Sequence, residues 1–135
     1  MPVPKWIVVA EDEDHVRELW CEALVRSGYR ALPARNGLEA LTLMGAVVPD
    51  LLILDLRMPE FSGTDLLASL PTWSQLQRIP VLVISGFLGT AGEPPDLPVR
   101  LNIVGRIAKP ITLAGLQRAV HAVLKGPTAP GDSEA

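Results

Sequence analysis

Short apolar segments alternate with amphipathic ones along this chain, and this alternation constrains the fold more than any other sequence feature. The apolar segments are rich in β-branched residues, and they lack a regular alternation with polar residues. They cover residues 6–10, 29–33, 51–54, 81–84 and 103–107, of which 29–33 is the least typical. Runs of this kind indicate strands buried on both faces, as in a parallel sheet between helix layers. Five of them predict an α/β fold with a doubly wound five-stranded parallel sheet.

The segments between the apolar runs predict amphipathic helices. In the first segment, apolar side chains recur at helical spacing and polar side chains fill the opposite face. The apolar set is Val16, Leu19, Trp20, Ala23 and Leu24, and the polar set is Arg17, Glu18, Glu22 and Arg26. Gly28 is expected to end this helix, because glycine readily adopts the left-handed conformation common at helix ends.

Three further helices are predicted elsewhere in the chain. Asn36 marks the start of one, because Glu39 stands at the capping-box position, and Pro49 follows its end. Another helix is expected over about 64–70, and the last begins after Thr112, whose side chain would cap it. Right-handed crossovers would place the helices on both faces of the sheet.

The segment GFLGTAGEPPDLPVRLN, residues 86–102, interrupts the alternation. A fourth helix belongs there, between the fourth and fifth strands. Pro94, Pro95 and Pro98 forbid a regular helix through the middle of this segment. We therefore expect the fourth helix to be atypical or lost.

The bulk properties bound the class of protein. The 135 residues suffice for one domain with a substantial core, which we assign to residues 1–125. Residues 126–135 are polar and rich in glycine and proline, which predicts a disordered tail or the start of a linker. The net charge of −3 argues against direct nucleic-acid binding. We recognise no signal peptide and no membrane-spanning run, and a single cysteine suits a reducing compartment, so we expect a cytoplasmic protein.

Charged and polar residues stand where the predicted strands end. Glu11 and Asp12 follow the first strand, Asp55 the third and Lys109 the fifth, while Ser85 ends the fourth. In an open parallel sheet, ligands bind beyond the carboxyl ends of the strands. We therefore expect these five side chains to lie along one edge of the sheet.

This set of side chains suits the transfer of a phosphoryl group to a carboxylate. Adjacent carboxylates repel one another unless a cation joins them, and Mg²⁺ prefers oxygen ligands. A carboxylate is also a nucleophile toward phosphorus, and an ammonium and a hydroxyl can stabilise the transferred oxygens. Each residue alone has an ordinary structural explanation, such as a first helical turn for Glu11 and Asp12 or a cap for Asp55. Their shared position at four strand ends favours the functional interpretation.

Four segments resemble the receiver domain of bacterial two-component response regulators, the chemotaxis-regulator-like family. WIVVAEDEDHVREL resembles the first strand and acidic pair of that family, and PDLLILDLRMPEFSG resembles its phosphorylation-site segment. PVLVISG resembles its fourth strand with the hydroxyl residue, and AKP its Lys–Pro step. The resemblance covers roughly residues 5–125 and implies a (βα)5, flavodoxin-like receiver architecture.

The resemblance also implies a role for each matching residue. Asp55 would accept the phosphoryl group, Ser85 would contact that group, and Lys109 would form an ion pair with it. The Mg²⁺ ligands would be Asp12 directly, Glu11 through water, Asp55, and the backbone carbonyl of Arg57.

The resemblance implies a signalling function and its partners. The phosphoryl donor would be a histidine kinase or a phosphotransfer protein. The domain would catalyse only its own phosphorylation and dephosphorylation, and is in that sense not an enzyme. Phosphorylation would change its surface and so signal to an unknown downstream protein, either as a stand-alone receiver or as part of a longer chain.

The chain departs from the family pattern at two places. Arg106 stands three residues before the lysine, where the family usually has Tyr or Phe, and the fourth helix is interrupted by prolines. Both departures fall on the face that the family uses for output and dimerisation. They keep open an alternative, a receiver-like interaction module that acts without phosphorylation.

Two other classes fit the residues less well. A phosphatase with an aspartate nucleophile usually needs a second acid two residues later, where this chain has Arg57. A flavin-binding protein of the same architecture needs a phosphate-binding loop after the first strand. The acids of residues 11–14 would repel a phosphate at that position.

Overall fold

The computed structural model describes residues 4–56, 62–86 and 102–125 of the protein. Strands and helices alternate through most of the described chain. The strands are β1 Trp6–Ala10, β2 Arg30–Ala34, β3 Leu51–Leu54, β4 Pro80–Ser85 and β5 Asn102–Ala108. The helices are α1 Asp14–Arg26, α2 Gly37–Ala46, α3 Gly63–Ser69, which is followed by a 3₁₀ turn at Leu70–Thr72, and α4 Leu113–Lys125.

All five strands are parallel and form one sheet in the order β2-β1-β3-β4-β5. The predicted doubly wound five-stranded parallel sheet is therefore confirmed. The chain first moves from β1 outward to β2 and then returns to build β3, β4 and β5 on the other side of β1. The reversal of strand order lies between β1 and β3, where open sheets of this kind form their binding crevice.

Two apolar clusters cover the two faces of the sheet, and the central strands contribute to both. The α2–α3 cluster contains Val8, Leu52 and Val83 from the sheet, together with Met44 and Leu66 from its helices. Alternate residues of the same strands point to the α1–α4 cluster, whose members include Ile7, Ile53, Ile84, Trp20 and Leu116. Because both faces are buried, these strands need apolar residues at every position, which explains their continuous apolar runs.

The edge strand β5 contains one extra residue relative to β4. Val81 pairs with Ile103, but Leu82 pairs with Gly105, so Val104 is a bulge. Ile103 packs against the α2–α3 cluster, whereas Ile107 packs against the α1–α4 cluster. The bulge thus changes the face on which the following β5 side chains lie.

The end of α1 confirms the prediction for Gly28, which has φ +95° directly after the cap residue. The N–H of Tyr29 donates to the carbonyl of Leu24 (3.1 Å), so Tyr29 still belongs to the turn. Strand β2 therefore begins one residue later than predicted.

The first turn of α2 differs in one detail from the predicted capping box. The Asn36 side chain accepts a hydrogen bond from the Glu39 N–H (2.8 Å), as expected. The Glu39 carboxylate accepts from the N–H of Arg35 (3.1 Å) rather than from that of Asn36. The Thr112 hydroxyl accepts from the Gly115 N–H (2.9 Å), which confirms the predicted cap of α4.

Helix α3 begins one residue earlier than predicted, because Ser62 and Asp65 form a reciprocal capping box that the sequence interpretation missed. None of the helices in the described parts of the chain is long and apolar enough to cross a membrane. The predicted atypical fourth helix lies mainly in residues 87–101, and the predicted tail in 126–135. Both stand outside the described residues and stay predictions.

Candidate metal and phosphoryl-transfer site

Backbone hydrogen bonds at the strand ends bring the predicted site residues together. The N–H of Asp55, just beyond β3, donates to the carbonyl of Ala10, the last residue of β1 (3.0 Å). Glu11 follows Ala10 directly, so it lies beside Asp55 at the reversal of strand order. The N–H of Lys109, just beyond β5, donates to the carbonyl of Ser85, the last residue of β4 (3.1 Å). The register of the sheet thus aligns the site at its carboxyl edge.

Three carboxylates form a cluster at this edge. Glu11, Asp12 and Asp55 each offer one oxygen, and these oxygens lie within 4.8 Å of one another. Glu11 is fully buried, Asp55 is 5% exposed and Asp12 is half-buried. A buried group of carboxylates with converging oxygens is the donor set that a hard divalent cation such as Mg²⁺ takes. The residues present therefore fit a divalent cation.

Lys109 supplies a positive charge to the same cluster. Its Nζ forms ion pairs with Glu11 Oε1 and with Asp55 Oδ2, the latter at 3.0 Å. Burial alone would lower the pKa of the Lys109 ammonium, but hydrogen bonds to Glu11 and Asp55 outweigh this effect and raise it. Lys109 Nζ also lies 5.6 Å from the centre of the Trp20 ring, a cation–π contact. The ammonium therefore stays protonated between the two carboxylates.

Glu11 is the acid most strongly affected by this environment. Its pKa is raised from 4.5 to about 7, mainly by burial and further by the neighbouring Asp12 and Asp55. Lys109 and a hydrogen bond from the Glu13 N–H to Glu11 Oε2 (3.1 Å) oppose it. Within the described parts of the chain, the three carboxylates of the cluster outnumber the single ammonium that contacts them, which favours the binding of a further cation.

Arg17 belongs to this site, although its place in the sequence pattern put it on the polar face of α1. That interpretation is wrong, because Arg17 is only 8% exposed. Its Nη1 donates to the backbone carbonyl of Glu11 (2.9 Å) and makes a longer contact of 3.4 Å with that of Asp12. Its Nη2 pairs with the carboxylate of Asp14. An arginine three residues after Asp14 and five to six residues after the acidic pair was the available signal.

The remaining predicted residues take different positions. Ser85 is fully buried at the end of β4, next to the backbone of Lys109. Arg106, at the position usually held by an aromatic residue in the family, is exposed on β5 opposite Val83. Arg57, whose carbonyl was predicted as a metal ligand, lies outside the described residues.

Solved structures share this architecture. The chemotaxis response regulator CheY4 of Vibrio cholerae superposes with a TM-score of 0.79 at 23% identity, over 90% of this chain and all of that one. The signal receiver domain of a signal transduction histidine kinase from Syntrophus aciditrophicus superposes with a TM-score of 0.73 at 30% identity, over 92% of each chain.

Sequence comparisons agree with the fold. The polar-differentiation response regulator DivK of Brucella anthropi is 35% identical over 85 residues, which are 63% of this chain and 69% of that protein. DivK of Brucella ovis is 34% identical over 83 residues, 62% of this chain and 68% of that protein. The family described as the response regulator receiver domain matches residues 7–121, most of the chain and every described site residue. The chain is therefore a member of the response regulator receiver domain family of bacterial two-component signalling.

Proposed function

We propose that this receiver domain, residues 1–125, accepts a phosphoryl group on Asp55 in an Mg²⁺-dependent reaction. The observation that carries the proposal is the position of Lys109 Nζ between the carboxylates of Glu11 and Asp55. An ammonium bonded to the acceptor carboxylate can also contact a phosphoryl group attached to it. The same acceptor carboxylate belongs to the cluster that fits a divalent cation.

The chemistry follows from the side chains at the edge. An oxygen of the Asp55 carboxylate attacks phosphorus, and the bond from phosphorus to the donor's leaving atom breaks. The bonding electrons depart with the leaving group, and Asp55 becomes an acyl phosphate. Lys109 neutralises part of the phosphoryl charge, and the Ser85 hydroxyl is proposed to hydrogen-bond one of its oxygens. Attack of water on the acyl phosphate releases inorganic phosphate and restores Asp55.

The metal ligands are proposed from the same cluster. Asp12 and Asp55 would bind Mg²⁺ directly, Glu11 through a water molecule, and the Arg57 backbone carbonyl would complete the protein set. Bound Mg²⁺ supplies positive charge that neutralises oxygens of the transferred group. The chain acts on its own Asp55 and does not turn over a separate substrate.

The proposed setting is the bacterial cytoplasm. There a histidine kinase or a phosphotransfer protein supplies the phosphoryl group, and a downstream protein reads the altered surface. The acidic net charge of −3 supports a protein partner rather than direct contact with nucleic acid.

Phosphorylation with a small donor tests the proposal. Purified protein is incubated with Mg²⁺ and acetyl phosphate, and intact mass spectrometry counts the phosphoryl groups. We expect one group per chain, removable by hydroxylamine, and none after Mg²⁺ is chelated. The Asp55→Asn variant removes the nucleophile and is expected to stay unlabelled.

Two results would count against the proposal. Equal labelling of the Asp55→Asn variant would place the acceptor elsewhere. No labelling of the wild-type protein, by either acetyl phosphate or a phosphorylated histidine phosphotransfer protein, would favour an interaction module that acts without phosphorylation.

A further inference from the structure

Among the residues that the structure describes, two cationic side chains lie at the acidic edge, and they contact different kinds of atoms. Lys109 donates to the carboxylates of Glu11 and Asp55 themselves. Arg17 Nη1 instead donates to the backbone carbonyls of Glu11 and Asp12, and its Nη2 pairs with Asp14. Among the carboxylates of the cluster, none receives a hydrogen bond from Arg17 in the described structure. Arg17 therefore holds the backbone of the acidic pair and leaves its carboxylates available to a cation.

The contacts of Glu11 show how closely this turn is held. Its N–H donates to the carbonyl of Ala34 (3.0 Å), and its carbonyl accepts from Arg17 (2.9 Å). One carboxylate oxygen accepts from the N–H of Glu13 (3.1 Å), and the other accepts from Lys109. Of these four contacts, the one from Arg17 also reaches the neighbouring Asp12. The planar guanidinium can satisfy three acceptors at once, which a lysine ammonium on a flexible stem does less well.

We propose that Arg17 is a positioning residue for divalent-cation binding: it fixes the backbone of residues 11–14 so that the carboxylates of Glu11 and Asp12 face Asp55. The inference rests on the proposed cation site. A site whose ligands are already ordered binds more tightly, because less conformational entropy is lost on binding. Residues that orient metal ligands without touching the metal typically change metal affinity by about 10–100-fold when replaced.

Cation binding to the Arg17→Met variant tests this inference. Mn²⁺ serves as the probe, because the electron paramagnetic resonance signal of the free ion measures binding without any phosphorylation. We expect the Kd of Arg17→Met to rise about 10-fold or more over that of the wild type. The Mg²⁺ concentration that half-saturates phosphorylation should rise in parallel, while the rate at saturating Mg²⁺ changes less.

Three further variants separate positioning from charge and from helix stability. Arg17→Lys keeps the positive charge but loses the planar guanidinium with its several N–H donors, and is expected to bind Mn²⁺ more weakly than wild type. Asp14→Asn removes the partner carboxylate but keeps the guanidinium–carbonyl bonds, so its Kd should change by less than that of Arg17→Met. Arg26→Met, on the same helix, removes only an exposed pair with Glu22 and should bind Mn²⁺ as wild type does.

The outcomes distinguish this inference from the proposed function. Arg17 variants that bind Mn²⁺ with wild-type affinity but unfold at lower temperature would show a purely structural role and overturn the inference. If Arg17→Met does not fold, the Mn²⁺ affinity of Arg17→Lys provides the test: a wild-type Kd overturns the inference, and a raised Kd supports it. A wild-type protein that binds Mn²⁺ but is never phosphorylated would contradict the proposed function alone, and weak binding by Arg17→Met would still support the inference. A wild-type protein that binds no Mn²⁺ would overturn the inference.

Discussion

The same strands form the apolar body of the sheet and its charged edge, but burial has opposite effects on stability in these two regions. In β3 every residue from Leu51 to Leu54 is fully buried among apolar neighbours. The next residue, Asp55, is also buried, but it lies beside the carboxylates of Glu11 and Asp12 and the Lys109 ammonium. Burial of apolar side chains stabilises the fold, whereas burial of unbalanced charge destabilises it. Burial in the apolar body therefore stabilises the fold, whereas the excess of carboxylates at the edge opposes it.

We expect the largest loss of stability from a substitution in the apolar body of the sheet. Leu54→Ala removes buried methyl groups from the α2–α3 cluster and should cost about 2–5 kcal/mol of unfolding free energy. Leu38→Ala makes the same change at a side chain on α2 that is 56% exposed, and should cost much less. Urea denaturation of both variants provides the comparison. Equal losses of stability in the two variants would contradict the claim that burial in the apolar body stabilises the fold.

At the charged edge we expect a somewhat smaller effect of opposite sign, a gain in stability when Mg²⁺ is added. Mg²⁺ should stabilise the wild-type protein, because it relieves repulsion among Glu11, Asp12 and Asp55. Binding at a concentration 100-fold above Kd corresponds to about 2.7 kcal/mol. Thermal melts measure the shift, and NaCl at matched ionic strength controls for general screening. Asp55→Asn should show a smaller shift with Mg²⁺; equal shifts in the two proteins would place the stabilising ion outside the cluster.

We expect the smallest effect on stability from the ionisation of a partly buried thiol in α1, that of Cys21. Burial raises the pKa of Cys21 from 9.0 to about 11, and Arg17 opposes the rise. Between these two values the folded state keeps the thiol proton, whereas the unfolded state releases it. The contribution of Cys21 to the free energy of unfolding is therefore fully present below about pH 9 and is lost as the pH rises through about 11. The stability of the wild type relative to Cys21→Ala should fall between about pH 9 and about pH 11. A constant difference between the two proteins would contradict this assignment.

The sequence predicted those features that depend on local pattern. Continuous apolar runs located the strands, and the residues at their ends located Glu11, Asp12, Asp55 and Lys109. These predictions succeed because a parallel sheet places all its carboxyl ends at one edge. The family resemblance, which the comparisons confirm, implied a role for each residue type at that edge but gave no geometry.

What the sequence did not predict depends on tertiary contacts. Helical periodicity placed Arg17 among exposed residues, because a hydrophobicity pattern cannot show that a guanidinium reaches back to the carbonyl groups of the preceding turn. The cation–π contact of Trp20 likewise requires Lys109 to arrive from the far end of the chain. The capping box of Ser62 and Asp65 was a local signal and could have been found.

The bulge in β5 affects how Lys109 reaches the site. Residues four apart in a regular strand lie on the same face, yet Ile103 and Ile107 contact opposite clusters because Val104 intervenes. Beyond the bulge, Ile84 pairs with Ile107 and Ser85 with Ala108, so Lys109 leaves the sheet level with the end of β4. The edge strand therefore accommodates one extra residue without shifting the lysine relative to the acceptor carboxylate.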